Sequence, residues 1–239
     1  MASRNDRPLF AVLIDADNIP ARHAEAILKE IAAIGEPALR RVYGDWSSGR
    51  LAKWSDQVRA LGMVAHQESA NTTGKNASDI GLVIDAMDIL HTGRFDGFVL
   101  VSSDSDFTAL ANRIREQGLE VIGVGEAKTP ESLRNVCNRF IMIENIVDEP
   151  ADTGTGGRQS TSKREDPTKA IPLILKAMAT IPQDEDWYSL GQIGQHLVAA
   201  HPDFDSRTYG CAKLSDLVRK LKRFETSKQG NQLLVRRVD

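Results

Sequence analysis

Two short stretches join an apolar run to paired carboxylates. In the first, Leu9-Phe10-Ala11-Val12-Leu13-Ile14 runs into Asp15-Ala16-Asp17-Asn18. In the second, Phe98-Val99-Leu100-Val101 passes through Ser102 and Ser103 into Asp104-Ser105-Asp106. Short apolar runs of this kind read as strands buried on both faces, as in a parallel sheet. The periodic apolar segment from Phe107 to Ile114 reads as the helix that follows the second run. Both acid pairs then fall at the carboxyl edge of a sheet, where open α/β folds place their ligands. Clustered oxygen ligands suit a hard divalent cation, Mg²⁺ or Mn²⁺. A plainer reading competes, because Asp is a good helix N-cap. It accounts for one acid at each strand end. It does not account for two, since like charges crowded into a cleft repel.

The elements that must carry these acids alternate between strand and helix. Ile19-Pro20 opens a helix with apolar residues at Ala24, Ile27, Leu28, Ile31 and Ile34, closed by Gly35. A second strand is expected over Ala38–Tyr43 and a third over Met63–Gln67, with a helix ending at Leu61 between them. The polar stretch 68–78 leads into a helix from Asp79 to Leu90, with Ser78 as its N-cap. Asp79 is then either a helix-start acid favoured by the dipole or a further carboxylate at the same edge. Asp85 and Asp88 lie at about 240° and 180° around that helix from Asp79 and stay outside the set. Asp88 reads as solvated, and Asp85 has no evident place. A fifth strand, Leu119–Val124, and a last one, Phe140–Ile143, complete a three-layer parallel α/β domain with right-handed crossovers. In a doubly wound sheet the first and fourth strands are neighbours at the switch point, which would bring Asp15 and Asp104 to one site.

Composition sets the outer bounds. The 239 residues, 41% hydrophobic and 26% charged, suit one large or two small globular domains. No apolar run approaches the ~20 residues of a membrane helix. The first eight residues lack an apolar signal core, so a cytoplasmic protein without a membrane partner is expected. Cys137 and Cys211 read as reduced, buried residues, and the five histidines show no zinc spacing. The net charge of −3 conceals an asymmetry: from Lys169 onward there are 11 basic and 8 acidic residues, leaving 19 and 25 before it. Between Lys213 and Arg237 the count is 8 basic to 2 acidic. An acidic half joined to a basic tail fits a nucleic-acid footprint.

Residues 148–167, rich in Gly, Ser and Thr and without apolar pattern, read as a flexible linker. Beyond it, three helical faces recur at Ala170–Met178, Leu190–Val198 and Leu214–Leu221, followed by a terminal strand at Leu233–Val235. Three short helices and a β-wing read as a winged helix.

Together these motifs resemble a known family. Residues 8–147 resemble the NYN domain, the LabA-like branch of the PIN-like nuclease superfamily. The resemblance is carried by Ile14-Asp15-Ala16-Asp17-Asn18, Lys75-Asn76-Ala77-Ser78-Asp79-Ile80, Ser102-Ser103-Asp104-Ser105-Asp106-Phe107 and the segment Ser132–Ile141. It implies a Rossmann-like, PIN-like fold and an acidic catalytic pocket on Asp15, Asp79, Asp104 and Asp106, with Asp17 and Asn18 as auxiliaries. Residues 168–239 resemble the OST-HTH or LOTUS domain, through Trp187, Leu190, Gly191, Ile193 and Gly194, then Phe204–Gly210, then Lys213, Leu214, Leu217 and Phe224. That resemblance implies RNA binding. Lys213, Arg219, Lys220, Lys222 and Arg223 form a basic helical stretch able to contact phosphates, or simply a solvated helix face. Trp187, Phe204 and Tyr209 read as core rather than as base-stacking residues.

The expected activity is metal-dependent hydrolysis of RNA by Asp15, Asp79, Asp104 and Asp106 with Mg²⁺ or Mn²⁺. Asp17 and Asn18 would orient a ligand or water. Lys75 would touch a phosphate, or be a solvated loop lysine. Ser102 and Ser103 would donate hydrogen bonds at the pocket floor, or only end the strand. A homodimer through the NYN domain is a further implication that no residue pattern displays. Two other readings compete. Asp15-Ala16-Asp17 after a first strand also begins a haloacid-dehalogenase-type phosphatase, with Asp15 as nucleophile. Asn18-Ile19 departs from that pattern, which expects Thr or Val two residues after the second Asp. The other is a non-catalytic RNA-binding adaptor.

Overall fold

The computed structural model describes residues 7–47, 49–67, 77–147, 164–183 and 185–238. Lys75, Asn76 and most of the expected linker lie outside the described residues. The chain divides into two compact units, Met1–Val147 and Asp148–Asp239.

In the first unit six parallel strands form one sheet: β1 (Leu9–Asp15), β2 (Glu36–Gly44), β3 (Val64–Gln67), β4 (Gly97–Val101), β5 (Glu120–Gly125) and β6 (Arg139–Met142). Their order is β3-β2-β1-β4-β5-β6. All five pairings are parallel. Residues alternate between the two sheet faces. Phe10, Val12 and Ile14 of β1 pack with helices α1 (Ala24–Ile34) and α2 (Ala52–Ala60). Ala11 and Leu13 pack on the other face with α3 (Ala77–His91), α4 (Thr108–Glu116) and α5 (Glu131–Val136). Burial on both faces is why β1 and β4 are nearly unbroken apolar runs. The chain winds outward from β1 in one direction and from β4 in the other. The carboxyl ends of these two strands therefore open a crevice at the switch point.

Several boundaries differ from expectation for local reasons. β2 begins at Glu36 and includes Pro37, and its register against β1 slips between Phe10 and Ala11. A register irregularity is where a strand tolerates proline. A 3₁₀ turn, Ala21–His23, precedes α1, so Pro20 stands extended outside the helix rather than in its first turn. α3 begins at Ala77, which puts Ser78 inside the first turn instead of at the N-cap and keeps Asp79 near the positive end of the dipole.

The second unit contains α6 (Ala170–Thr180), β7 (Tyr188–Ser189), α7 (Leu190–Ala200), α8 (Leu214–Lys220), β8 (Phe224–Gln229) and β9 (Gln232–Arg237). Its antiparallel sheet has the order β7-β9-β8. Ala170, Ile174, Met178, Ile193, Leu197, Leu217, Val218 and Val235 form its core. The β8–β9 hairpin is the wing, and Gly230 supplies the left-handed backbone of its turn, φ 58°. α8 ends at Lys220 because Leu221 turns to extended backbone. Lys222 and Arg223 thus lie in the approach to β8, not on a helix as expected.

Candidate active site

β1 ends at Asp15, whose residue is only 4% exposed. Its Oδ1 accepts the backbone N–H groups of Asp17 (3.1 Å) and Asn18 (3.2 Å). Its Oδ2 accepts the Ser102 hydroxyl from β4's end at 2.9 Å. Ser102 Oγ in turn accepts the N–H of Asp104 (3.1 Å), and Asp104 Oδ1 accepts the N–H of Asp106 (2.9 Å). Asn18 Oδ1 accepts the Ser103 N–H at 2.9 Å, so the two strand-end loops are laced together twice. Ser103 Oγ accepts the Glu126 N–H (2.9 Å), which ties in the loop after β5. Gly125 permits that approach: a Cβ there would meet the Ser102 carbonyl oxygen at 2.7 Å. Trp54 of α2 holds the β1 loop from beneath, donating its indole N–H to the Ile19 carbonyl at 2.8 Å.

The capping reading of the acids is met at both strand ends. Asp104 caps the 3₁₀ turn Ser105–Phe107, and Asp15 caps its own loop. Ser102 and Ser103 brace the loops, and the Ser102 proton is committed to Asp15. What capping leaves unexplained is the electrostatics. Burial pushes the Asp15 carboxyl up to about 6, and the charges of Asp79 and Asp17 add to it against the lowering effect of the Ser102 and Asn18 hydrogen bonds. Burial also raises Asp79, followed by the charges of Asp104, Asp106 and Asp17. Carboxylates after β1 and β4 and at the start of α3 therefore act on Asp15 and Asp79, disfavouring the ionisation of these two acids.

That donor set fits a hard divalent cation in chemistry and in charge. Among the described residues, no three His, Cys, Asp or Glu side chains already converge as a ready chelate. Mg²⁺ keeps several waters and commonly takes only one or two carboxylates directly, so a loosely spaced acidic edge is compatible with it.

Asp85 has a place that its sequence neighbourhood does not disclose. It accepts hydrogen bonds from the Arg41 guanidinium and the Tyr43 hydroxyl, with His66 Nδ1 at 4.0 Å. Burial, then the Asp85 contact, pushes the Tyr43 hydroxyl well above its ordinary range. The cluster pins α3 to β2, six residues along the helix from Asp79. Arg41 and Tyr43 share a face of β2 by strand alternation, but their partner lies more than 40 residues on.

In the second unit, Lys213, Arg219, Lys220 and Lys222 are exposed and Arg223 is half-buried. Arg219 sits 3.8 Å from Asp216. Tyr209 is buried and Phe204 packs on the same core, their ring centroids 5.9 Å apart. Trp187 departs from the expected core role: it is half-buried, with the Arg236 guanidinium 4.7 Å from its ring centroid.

Comparison with known proteins gives two family matches. The NYN domain matches residues 10–144, and the OST-HTH/LOTUS domain matches residues 162–235. A search of the curated proteins found no match. Among solved structures, a Vibrio parahaemolyticus protein of unknown function is 20% identical, with 59% of this chain and 96% of that one covered and a TM-score of 0.49. MurG of Acinetobacter baumannii is 11% identical, with 82% and 65% covered and a TM-score of 0.39. No helix among the described residues is long and apolar enough to cross a membrane.

Proposed function

The chain belongs to the NYN-domain family and carries an OST-HTH/LOTUS domain after it, and from that premise we propose that it is a metal-dependent endoribonuclease with a tethered RNA-binding module. The observation that carries the proposal is the electrostatics of the β1–β4 crevice, where burial raises Asp15 and Asp79, the charges of Asp79 and Asp17 add to Asp15, and those of Asp104, Asp106 and Asp17 add to Asp79. Asp15, Asp79, Asp104 and Asp106 are the residues to hold Mg²⁺ or Mn²⁺, directly or through waters. Bound there, the cation supplies an activated water and neutralises charge on the phosphate. Asp15 accepts three loop hydrogen bonds on its two oxygens, so it also fixes the floor of the site while keeping acceptor capacity for the cation or its waters. Asp17 is exposed and Asn18 half-exposed, at positions to orient water or substrate. Lys75 is proposed as a phosphate contact. Lys213, Arg219, Lys220, Lys222 and Arg223 are proposed as phosphate contacts of the second unit.

The burial of Asp15, 4% exposed, disfavours the phosphatase reading, which needs that carboxylate to reach a phosphorus atom. The deciding experiment incubates full-length protein with labelled single-stranded, hairpin and duplex RNAs, and matching DNAs, in Mg²⁺, in Mn²⁺ and in EDTA. Cutting of RNA with either metal and none in EDTA is the expected result. RNA retained without any cutting would return the adaptor.

The proposal extends to assembly. The exposed large apolar residues among those described are Val64 on edge strand β3, Ile80 and Ile84 on α3, and Val238. Ile80 and Ile84 are 60% and 58% exposed on a helix whose opposite face is core. Two exposed isoleucines one helical turn apart suit a symmetric copy of themselves. Light scattering after size exclusion should give a dimer for wild type and a monomer for Ile84→Glu. A monomeric wild type refutes the dimer and leaves the nuclease untouched.

A further inference from the structure

The second unit contains a groove of about 600 Å³ between the last turns of α6 and the strands β7 and β9. Leu175, Met178 and Ala179 floor it, Tyr188 and Arg236 wall it, and Asp186 stands at its rim. We propose that this groove takes an unpaired nucleobase of single-stranded RNA, with the Arg236 guanidinium, backed by the Trp187 ring, as its stacking edge. The proposal rests on the RNA-binding reading of this unit and adds a subsite distinct from the basic residues around α8.

The chemistry of the walls selects the occupant. Apolar side chains of α6 beside the Tyr188 ring, in a lining that also holds charged groups, suit a planar heterocycle with polar edges. The Arg236 guanidinium is held in two ways: it lies 4.7 Å from the Trp187 ring centroid, and it pairs with Glu225 at 2.6 Å. A guanidinium plane fixed like this can stack on a base and still offer donors to a phosphate. The Asp186 carboxylate is an acceptor for a base's exocyclic amine. The size lies within the ~300–1,000 Å³ of sites that enclose small organic ligands, a class that includes a nucleotide. Bases inside a duplex are stacked and cannot enter, so the groove distinguishes single strands from duplexes. The exposed lysines at α8 cannot, because both forms present phosphates.

The test measures anisotropy of a labelled single-stranded RNA and of its duplex with full-length protein in EDTA, where the proposed cleavage is silent. Trp187→Ala removes the ring that holds the Arg236 guanidinium in place and is expected to weaken single-strand binding about tenfold, the effect of losing one stacking contact. Ala179→Glu changes an exposed floor residue without touching the core and is expected to weaken it similarly. Duplex affinity should stay at the wild-type value in both. For Trp187→Ala the slope of affinity against salt should also be unchanged, because a stacking contact releases no counterions. Lys213→Glu with Lys220→Glu should weaken both RNAs and flatten that slope. Groove variants with wild-type affinity for the single strand, alongside a weakened lysine variant, would overturn the subsite alone. Absence of RNA binding by wild type would overturn the underlying reading and the subsite with it.

Discussion

Asp104→Asn is expected to lower metal-dependent RNA cutting by about two to three orders of magnitude. Electrostatic stabilisation by a bound cation is worth several kcal/mol, and each ~1.36 kcal/mol is a decade of rate. The substitution isolates that contribution. An asparagine oxygen can still accept the Asp106 N–H and cap the turn after β4, so the fold and the Ser102 bridge are retained. Only the charge leaves. RNA binding in EDTA should therefore match wild type. Two further readouts follow from the field around Asp79. Asp104 is the largest of the charges raising the Asp79 carboxyl, so in the variant that carboxyl should titrate lower, as followed by carboxyl-carbon NMR. Mg²⁺ should raise the melting temperature of wild type and not of the variant, because a ligand stabilises only the fold that binds it. Wild-type cutting by Asp104→Asn would reduce this residue to a turn cap.

The acids at the β1–β4 edge were legible because their surroundings are local. A strand covered on both faces must be a continuous apolar run, and the first polar residues after it must lie at its end. β1 and β4 obey that rule, and the neighbouring of Asp15 and Ser102 follows from the topology. Asp85 was illegible for the opposite reason. Its partners Arg41, Tyr43 and His66 arrive on two other strands, and nothing in the segment around Asp85 announces them. β8 was missed because a wing strand is solvated: only Phe224 of its six residues is fully buried, and Glu225-Thr226-Ser227-Lys228 lacks apolar alternation. Trp187, expected in the core, is half-buried instead. Its position is decided by Arg236, 49 residues on, which offers the indole a cationic partner at the surface. The basic stretch after Lys213 was read as one helix, but burial of Leu221 and Phe224 demands a turn there, and it splits the cations between α8 and the wing.

Without metal, wild type is expected to lose stability relative to Asp15→Asn as pH rises from about 4 to about 6. The carboxyl of Asp15 titrates near 6 in the folded chain and near its ordinary 3.8 when unfolded. Between those values the native state holds more protons than the unfolded state, so stability must fall with pH. The full difference corresponds to about 3 kcal/mol, complete once the pH passes the folded value. Asp79, also raised, acts in the same direction. Asp15→Asn should remove the Asp15 share. Its amide oxygen can take the two loop N–H groups, and the Ser102 hydroxyl can turn to accept from the amide nitrogen. Urea unfolding in EDTA at several pH values would show the wild-type curve falling relative to the variant's across this window and running parallel to it above. A difference between the two proteins that stays constant with pH would mean that Asp15 is not held protonated by the fold. Metal should reverse the trend, because cations bind the deprotonated carboxylates. The stabilisation conferred by Mg²⁺ should therefore grow through the same window in which the metal-free protein weakens. Burial of Asp15 within reach of the Asp79 charge thus makes the metal-free site costly at neutral pH and the loaded site favourable there, which is the condition an acidic cleft must meet if its charge is to be spent on a cation.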